Sequence, residues 1–155
     1  MKAVRIVLFA AAAALALPAA AQTTSDMQIL AQKIKADKKL VVAANMQLTE
    51  DEAKGFWPVY EVYQKDLGAL NRRLGGAIKS YAAAYNQGQV SDEAAKGLIS
   101  EALAIDEAEV KLKRSYAARL EKVIPGVKGA RYIQIENKIR AIVRYELAGQ
   151  IPLVR

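Results

Sequence analysis

Between residues 56 and 84 the apolar side chains recur at every third or fourth position without interruption. The positions are Phe56, Tyr60, Tyr63, Leu67, Leu70, Leu74, Ala77, Tyr81 and Ala84. Side chains at this spacing share one face of an α-helix. A helix of about thirty residues is roughly 45 Å long, since each residue adds about 1.5 Å. The pattern therefore predicts one long amphipathic helix. No stretch of residues 22–155 that is long enough for a strand alternates apolar and polar side chains.

The same spacing recurs in three other segments, so we expect an all-α chain with four helices. The apolar positions are Met27, Leu30, Ile34, Val41, Ala44 and Leu48 in the first segment, Leu98, Ala102, Ile105, Ala108, Leu112, Tyr116, Leu120 and Val123 in the third, and Tyr132, Ile135, Ile139, Ile142 and Leu147 in the fourth. Asn86 with Gly88, and Pro125 with Gly126, mark breaks between helices, and Ser91 can cap the third helix. Long helices joined by a short loop pack antiparallel. We expect helices two and three to form a hairpin, with a shorter helix at each end.

The start of the second helix carries a capping motif and a proline. Thr49 and Glu52 have the spacing of a capping box, with Leu48 as the apolar residue before the cap. Pro58 follows about two turns later, where proline removes a backbone hydrogen bond and disfavours helical dihedral angles at Trp57. We expect the helix to bend or restart at Trp57 and Pro58.

Residues 1–21 have the three parts of a cleaved secretory signal peptide. Lys2 and Arg5 give a positive start, residues 6–17 are apolar, and residues 19–21 are small alanines before a cleavage site. The apolar run is shorter than the roughly 20 residues that span a membrane. The sequence predicts export to the periplasm and a single helical domain over residues 22–155.

Composition limits the chemistry and the partners. The chain has no cysteine and no histidine, so thiolate nucleophiles, Ser-His-Asp triads and ordinary zinc sites are excluded. Four acidic residues of the third helix are metal-ligand candidates, although a solvated helix face is the simpler interpretation; they are Glu101, Asp106, Glu107 and Glu109. Loss of Lys2 and Arg5 lowers the net charge from +7 to +5. An exported basic protein seldom meets nucleic acid, so we expect no nucleic-acid partner. Because the usual acid/base, nucleophilic and metal-binding residues are depleted, we also expect no cofactor and no enzyme activity.

Residues 48–52, with the sequence LTEDE, open a long helix in a small exported all-α chain. This stretch resembles the Leu-Thr-x-x-Gln motif of the Spy/CpxP family of periplasmic proteins. Glu52 stands where the family has glutamine, and residues 124–128, where a second copy is expected, keep only a helix breaker. The resemblance implies a thin, curved helical hairpin that dimerises into a cradle. It also implies ATP-independent chaperoning and a role in envelope stress.

We expect unfolded or partner polypeptides to bind an aromatic and basic surface. Its residues are Trp57, Tyr60, Tyr63, Lys65, Arg72, Arg73, Lys79, Tyr81 and Tyr85. Charge attraction followed by apolar contact would hold an unfolded chain without ATP. The alternative for each aromatic side chain is a place in the core.

A second hypothesis is an envelope-stress sensor or interaction subunit that docks on an envelope protein or anionic lipid through basic faces. These faces comprise Lys33, Lys35, Lys38, Lys39, Arg131, Lys138, Arg140 and Arg144, for which a solvated surface is the ordinary alternative.

We also expect a homodimer, because short first and fourth helices would leave the strip formed by Leu67, Leu70 and Leu74 partly uncovered.

Overall fold

The computed structural model describes residues 37–154, which form four helices and no strand. Residues 37–46 belong to helix α1, and α2 (Glu50–Asn86), α3 (Asp92–Leu120) and α4 (Gly126–Gln150) follow in chain order. The all-α prediction is therefore confirmed. The predicted signal peptide and the apolar positions Met27, Leu30 and Ile34 lie outside the described residues.

Helices α2 and α3 form the predicted antiparallel hairpin. Tyr63 packs against Tyr116 with ring centroids 5.1 Å apart, whereas Arg73, further along α2, pairs with Glu101, earlier in α3. Helix α4 returns antiparallel to α3 and is the shorter, with 25 residues against 29. It therefore runs in the same direction as α2, and its end reaches Tyr81, whose hydroxyl donates to the carbonyl of Pro152 at 2.9 Å.

The helix starts follow the predicted capping chemistry. The Thr49 hydroxyl accepts from the Glu52 N–H at 3.3 Å, and the Glu52 carboxylate accepts from the Thr49 N–H at 2.7 Å, which completes the capping box. Leu48 packs against the core beside it. Ser91 caps α3 by accepting from the Ala94 N–H at 3.2 Å. Helix α4 begins after Pro125 without a side-chain cap.

Helix α2 continues through Pro58, so the predicted restart at that residue is wrong, while the predicted bend stays a prediction. Lys54 and Pro58 are both exposed. The Lys54 carbonyl, which loses its helical donor to the proline ring, therefore lies where water can replace the missing bond. Trp57 stays helical and packs edge-on against Phe56 and Tyr60.

The core lies at the end of the molecule where α1, the first half of α2, the second half of α3 and α4 meet. It is built from Val42, Met46, Phe56, Tyr60, Tyr63, Leu67, Tyr116, Leu120, Ile124, Tyr132, Ile139 and Ile142. Gly55 allows α2 to approach the connection between α3 and α4, since a β-carbon there would lie 3.0 Å from the β-carbon of Val123.

The leucine strip that the predicted dimer would bury is partly covered by the chain itself. Leu67 is buried, and Leu70 and Leu74 are half-buried. Part of the strip therefore remains accessible, and the homodimer stays a prediction.

Candidate functional site

Three of the five aromatic residues predicted to bind polypeptides lie in the core. Tyr60, Tyr63 and Tyr81 are 4%, 1% and 9% exposed. Burial, reinforced by nearby carboxylates, raises the pKa of Tyr60 and of Tyr63 above the ordinary tyrosine value. Trp57 is half-buried against the core, and half-buried Tyr85 contacts the ring of Tyr81. The expectation of an exposed aromatic surface is wrong for the three buried tyrosines, because the stripe that predicts the helix is also the stripe that the fold buries.

The cations of the predicted surface lie on other faces of α2. Lys65, Arg72 and Lys79 are exposed and seven residues apart, so they share one face. Lys65 follows Tyr63 by two residues, so at about 100° per residue this face points in nearly the opposite direction from Tyr63. Arg73 instead donates through Nε and Nη2 to both carboxylate oxygens of Glu101, at 2.5 and 2.6 Å. The aromatic and basic residues therefore do not form one surface.

Four of the six described basic residues considered for envelope docking are neutralised by ion pairs. Lys38 pairs with Glu136, Lys39 with Glu61, Arg140 with Glu109 and Arg144 with Asp106, at 2.5–2.7 Å. Arg131 donates to the Gln47 side chain at 3.0 Å, and Lys138 is exposed. Lys33 and Lys35 lie outside the described residues. These pairings weaken the hypothesis of docking through basic faces.

A cavity of about 170 Å³ lies between the helices, and all four contribute side chains to its lining. Its lining residues are Lys38, Tyr63, Gln64, Leu67, Asn71, Glu109, Lys113, Glu136, Ile139, Arg140 and Val143. A cavity that brings this many charged groups together inside a small helical protein is a candidate binding site.

Glu109 is the buried carboxylate of α3 and joins that helix to α4. Its Oε1 accepts from Lys113 at 2.8 Å, and its Oε2 lies 2.6 Å from the Arg140 guanidinium and 3.4 Å from that of Arg144. Burial acts to raise the pKa of Glu109, but hydrogen bonds from Lys113 and Arg140 outweigh it and hold the pKa below the ordinary value. Glu109 is therefore a charged group inside the bundle.

Glu136 of α4 is the second buried carboxylate. Its Oε2 accepts from Lys38 of α1 at 2.7 Å, and its Oε1 accepts from the Gln64 amide of α2 at 3.0 Å. The Gln64 amide also lies 3.2 Å from the Tyr132 hydroxyl, and its carbonyl accepts from Lys38 at 2.9 Å. Three helices are therefore joined around this one carboxylate.

The hydroxyl of Tyr63 has no such partner. It lines the same cavity and is buried, and within residues 37–154 it is the side-chain polar atom that is buried without a hydrogen bond. Leaving a buried polar group unsatisfied costs about 1–3 kcal/mol. Water or a ligand in the cavity would remove this cost.

A different surface carries exposed apolar residues. Ile99, Leu103 and Val110 of α3 are 61%, 59% and 50% exposed, and their spacing of four and seven residues places them on one side of the helix. These three residues are termed the α3 stripe. Asp106, Glu107, Lys111 and Arg114 line a shallow groove with Leu103 and Val110. Asp106 pairs with Arg144, and among residues 37–154 Glu107, Lys111 and Arg114 form no ion pair.

The acidic residues of α3 act as ion-pair partners. Glu101 pairs with Arg73, Asp106 with Arg144 and Glu109 with Lys113 and Arg140, while Glu107 is exposed. No group of three acidic residues in the described part of the chain is placed to hold a metal ion. The solvated-face interpretation is wrong for Glu109.

The sequence interpretation did not predict that Glu109 and Glu136 are buried, although the sequence carries a signal for it. Glu109 falls between Ile105 and Leu112, and Glu136 falls between Tyr132 and Ile139, so each stands in the apolar register of its helix. The neighbouring Ala108 and Ile135 satisfy the same spacing, so the apolar pattern of each helix is complete without its glutamate. A glutamate in a buried register indicates a buried ion pair.

No protein-family model matches the chain, and neither the curated proteins nor the solved structures include a significant match to it. Among residues 37–154, no helix combines the length and the apolar character that crossing a membrane requires. The Spy/CpxP resemblance therefore rests on residues 48–52 and on the layout of the helices.

Proposed function

We propose that the protein is a periplasmic helical binding protein that holds unfolded or partner polypeptides without ATP, using the α3 stripe as its apolar contact. The observation that carries this proposal is the exposure of Ile99, Leu103 and Val110 on one helix side. The resemblance of residues 48–52 to the Spy/CpxP motif, and the signal-like residues 1–21, support the same function and compartment.

The spacing of the stripe suits an amphipathic client. Apolar residues four and seven positions apart are typical of a helix face that packs against a second apolar segment, as in a coiled coil. Glu107, Lys111 and Arg114 stand beside it without ion-pair partners among the described residues, and Asp106 is paired with Arg144, so one positive charge is left over in the groove. An acidic and apolar segment of an unfolded polypeptide therefore complements this surface, first by electrostatic steering and then by burial of apolar area.

The test is suppression of aggregation of a chemically denatured, acidic client upon dilution. Near-stoichiometric protein, from Gln22 onward, should lower the light scattering of the client, and added salt should weaken this protection because it screens the charges. Leu103→Glu should remove most of the protection. Val127→Glu is the matched control, since Val127 is 76% exposed and is separate from the stripe. Both substitutions are at exposed positions, where changes in stability are usually within about 0.5 kcal/mol.

Two outcomes would overturn the proposal: absence of protection at every salt concentration, or equal protection by the Leu103→Glu variant. The mass in solution tests the expected homodimer at the same time. A wild-type dimer that Leu103→Glu converts to a monomer would assign the stripe to a second copy of the chain, and the client would then need another surface.

A further inference from the structure

We propose that the central cavity is a binding site for a small organic monocarboxylate. The cavity shares no lining residue with the α3 stripe. Its charged side chains come from α1, α3 and α4, helix α2 adds neutral polar ones, and Leu67, Ile139 and Val143 form an apolar wall. This proposal goes beyond polypeptide binding and does not depend on it.

The charges of the lining favour a single negative charge. Three cationic side chains, Lys38, Lys113 and Arg140, face two carboxylates, Glu109 and Glu136. Both carboxylates are already paired with these cations, at 2.6–2.8 Å. One positive charge is left over, and an anion with one charge would balance it. A dianion or a cation would leave an unpaired charge in a poorly solvated site, which is costly.

The hydrogen-bonding groups of the lining also favour a carboxylate ligand. Lys113 donates to Glu109, which leaves further N–H groups of that ammonium free for a ligand. Both Oε atoms of Glu109 and both of Glu136 already accept hydrogen bonds or ion pairs. The Tyr63 hydroxyl adds a buried donor without a partner. The cavity therefore has more free donors than free acceptors, and a carboxylate, which only accepts, complements it.

The volume sets the size of the acid. The cavity measures about 170 Å³, and a cavity of about 150 Å³ holds a benzene molecule, with its six carbon atoms. A short-chain acid such as butyrate, with six non-hydrogen atoms, is of this size. Lys38 and Lys113 are the most exposed charged residues of the lining, with side chains 21% and 24% exposed, and they mark where a ligand enters.

Calorimetric titration of the folded protein with sodium butyrate tests the site. We expect saturable binding of one butyrate per chain, no binding of the neutral isostere butyramide, and no heat from sodium chloride at equal ionic strength. Tyr63→Phe removes the hydroxyl and keeps the ring. It should weaken butyrate binding about tenfold, the effect of losing one hydrogen bond to a charged group.

A second variant keeps the test valid if Tyr63→Phe does not fold. Val143→Phe should fill the cavity and abolish binding, with the helical circular dichroism unchanged. The proposal is overturned if folded wild-type protein shows no saturable binding of butyrate, or if Val143→Phe binds it as well as wild type does. A crystal structure grown in butyrate with only water in the cavity would also overturn it.

Discussion

Glu52 has two structural roles. Its carboxylate closes the capping box of α2 by accepting from the Thr49 N–H, and it also contacts the ammonium of Lys128 in α4. The hydrogen bond from Lys128, followed by that from the Thr49 backbone, lowers the pKa of Glu52 below the ordinary glutamate value. The glutamine that the Spy/CpxP motif carries here would keep the cap, but it could not form the ion pair.

Glu52→Gln should therefore lower stability in a pH-dependent way. A carboxyl whose pKa is lowered by folding stabilises the protein above its unfolded pKa of about 4.3, and this contribution is lost as the pH falls through the folded pKa. The variant lacks the contribution at every pH. Urea denaturation should show a lower midpoint for the variant at pH 7, and a difference from wild type that shrinks as the pH falls below about 4.

Asp51→Asn is the control for Glu52→Gln, because Asp51 lies in the same turn and forms only an exposed pair with Lys54. Its effect at pH 7 should be the smaller of the two. An equal loss of stability in both variants, or a Glu52→Gln effect that persists unchanged at low pH, would show that the pair with Lys128 does not stabilise the fold.

At the scale of the helix, the sequence predicted three starts correctly and one interruption incorrectly. Thr49, Ser91 and Pro125 act through their own side chains or rings within one turn of the chain, so local chemistry determines where α2, α3 and α4 begin. Pro58 also acts locally, but its effect depends on whether the freed carbonyl meets water or protein. That depends on tertiary structure, which the sequence pattern does not contain.

Pro58→Ala should stabilise the protein by about 1–2 kcal/mol. The change restores a backbone hydrogen bond and removes the ring, a gain of up to about 3 kcal/mol, while the more flexible unfolded chain offsets roughly 1 kcal/mol. Thermal denaturation should show the increase. Pro125→Ala is the control, because Pro125 precedes the first turn of α4 and should bring no such gain. Lower stability in Pro58→Ala would indicate that the proline shapes the packing of Trp57.

At the scale of the whole molecule, the sequence predicted the four helices and the hairpin but not how α1 and α4 cover it. Periodicity identifies the buried face of each helix and does not identify its neighbour. The same limit explains why the predicted polypeptide-binding surface is wrong for Tyr60 and Tyr63. The sequence pattern groups them with Lys65, but they lie in the core with Tyr132 of α4. The cavity forms only when Glu109, Glu136 and their cations, which come from α1, α3 and α4, meet the side chains of α2 that complete its lining.

Glu109→Gln tests whether this polar centre holds the helices together. The change leaves Arg140 and Lys113 without a negative partner at Glu109, whose side chain is 4% exposed. Removing one partner of a buried pair costs about 3–5 kcal/mol, and the partial exposure of Lys113 reduces the expected loss to about 2–4 kcal/mol. Urea denaturation should show this loss, whereas Glu107→Gln, at an exposed site on the same helix, should change stability by less than about 0.5 kcal/mol. If both variants are equally stable, apolar packing and the Asp106–Arg144 pair are enough to hold α3 and α4 together. The ion pairs of Glu109 would then serve the cavity and not the fold.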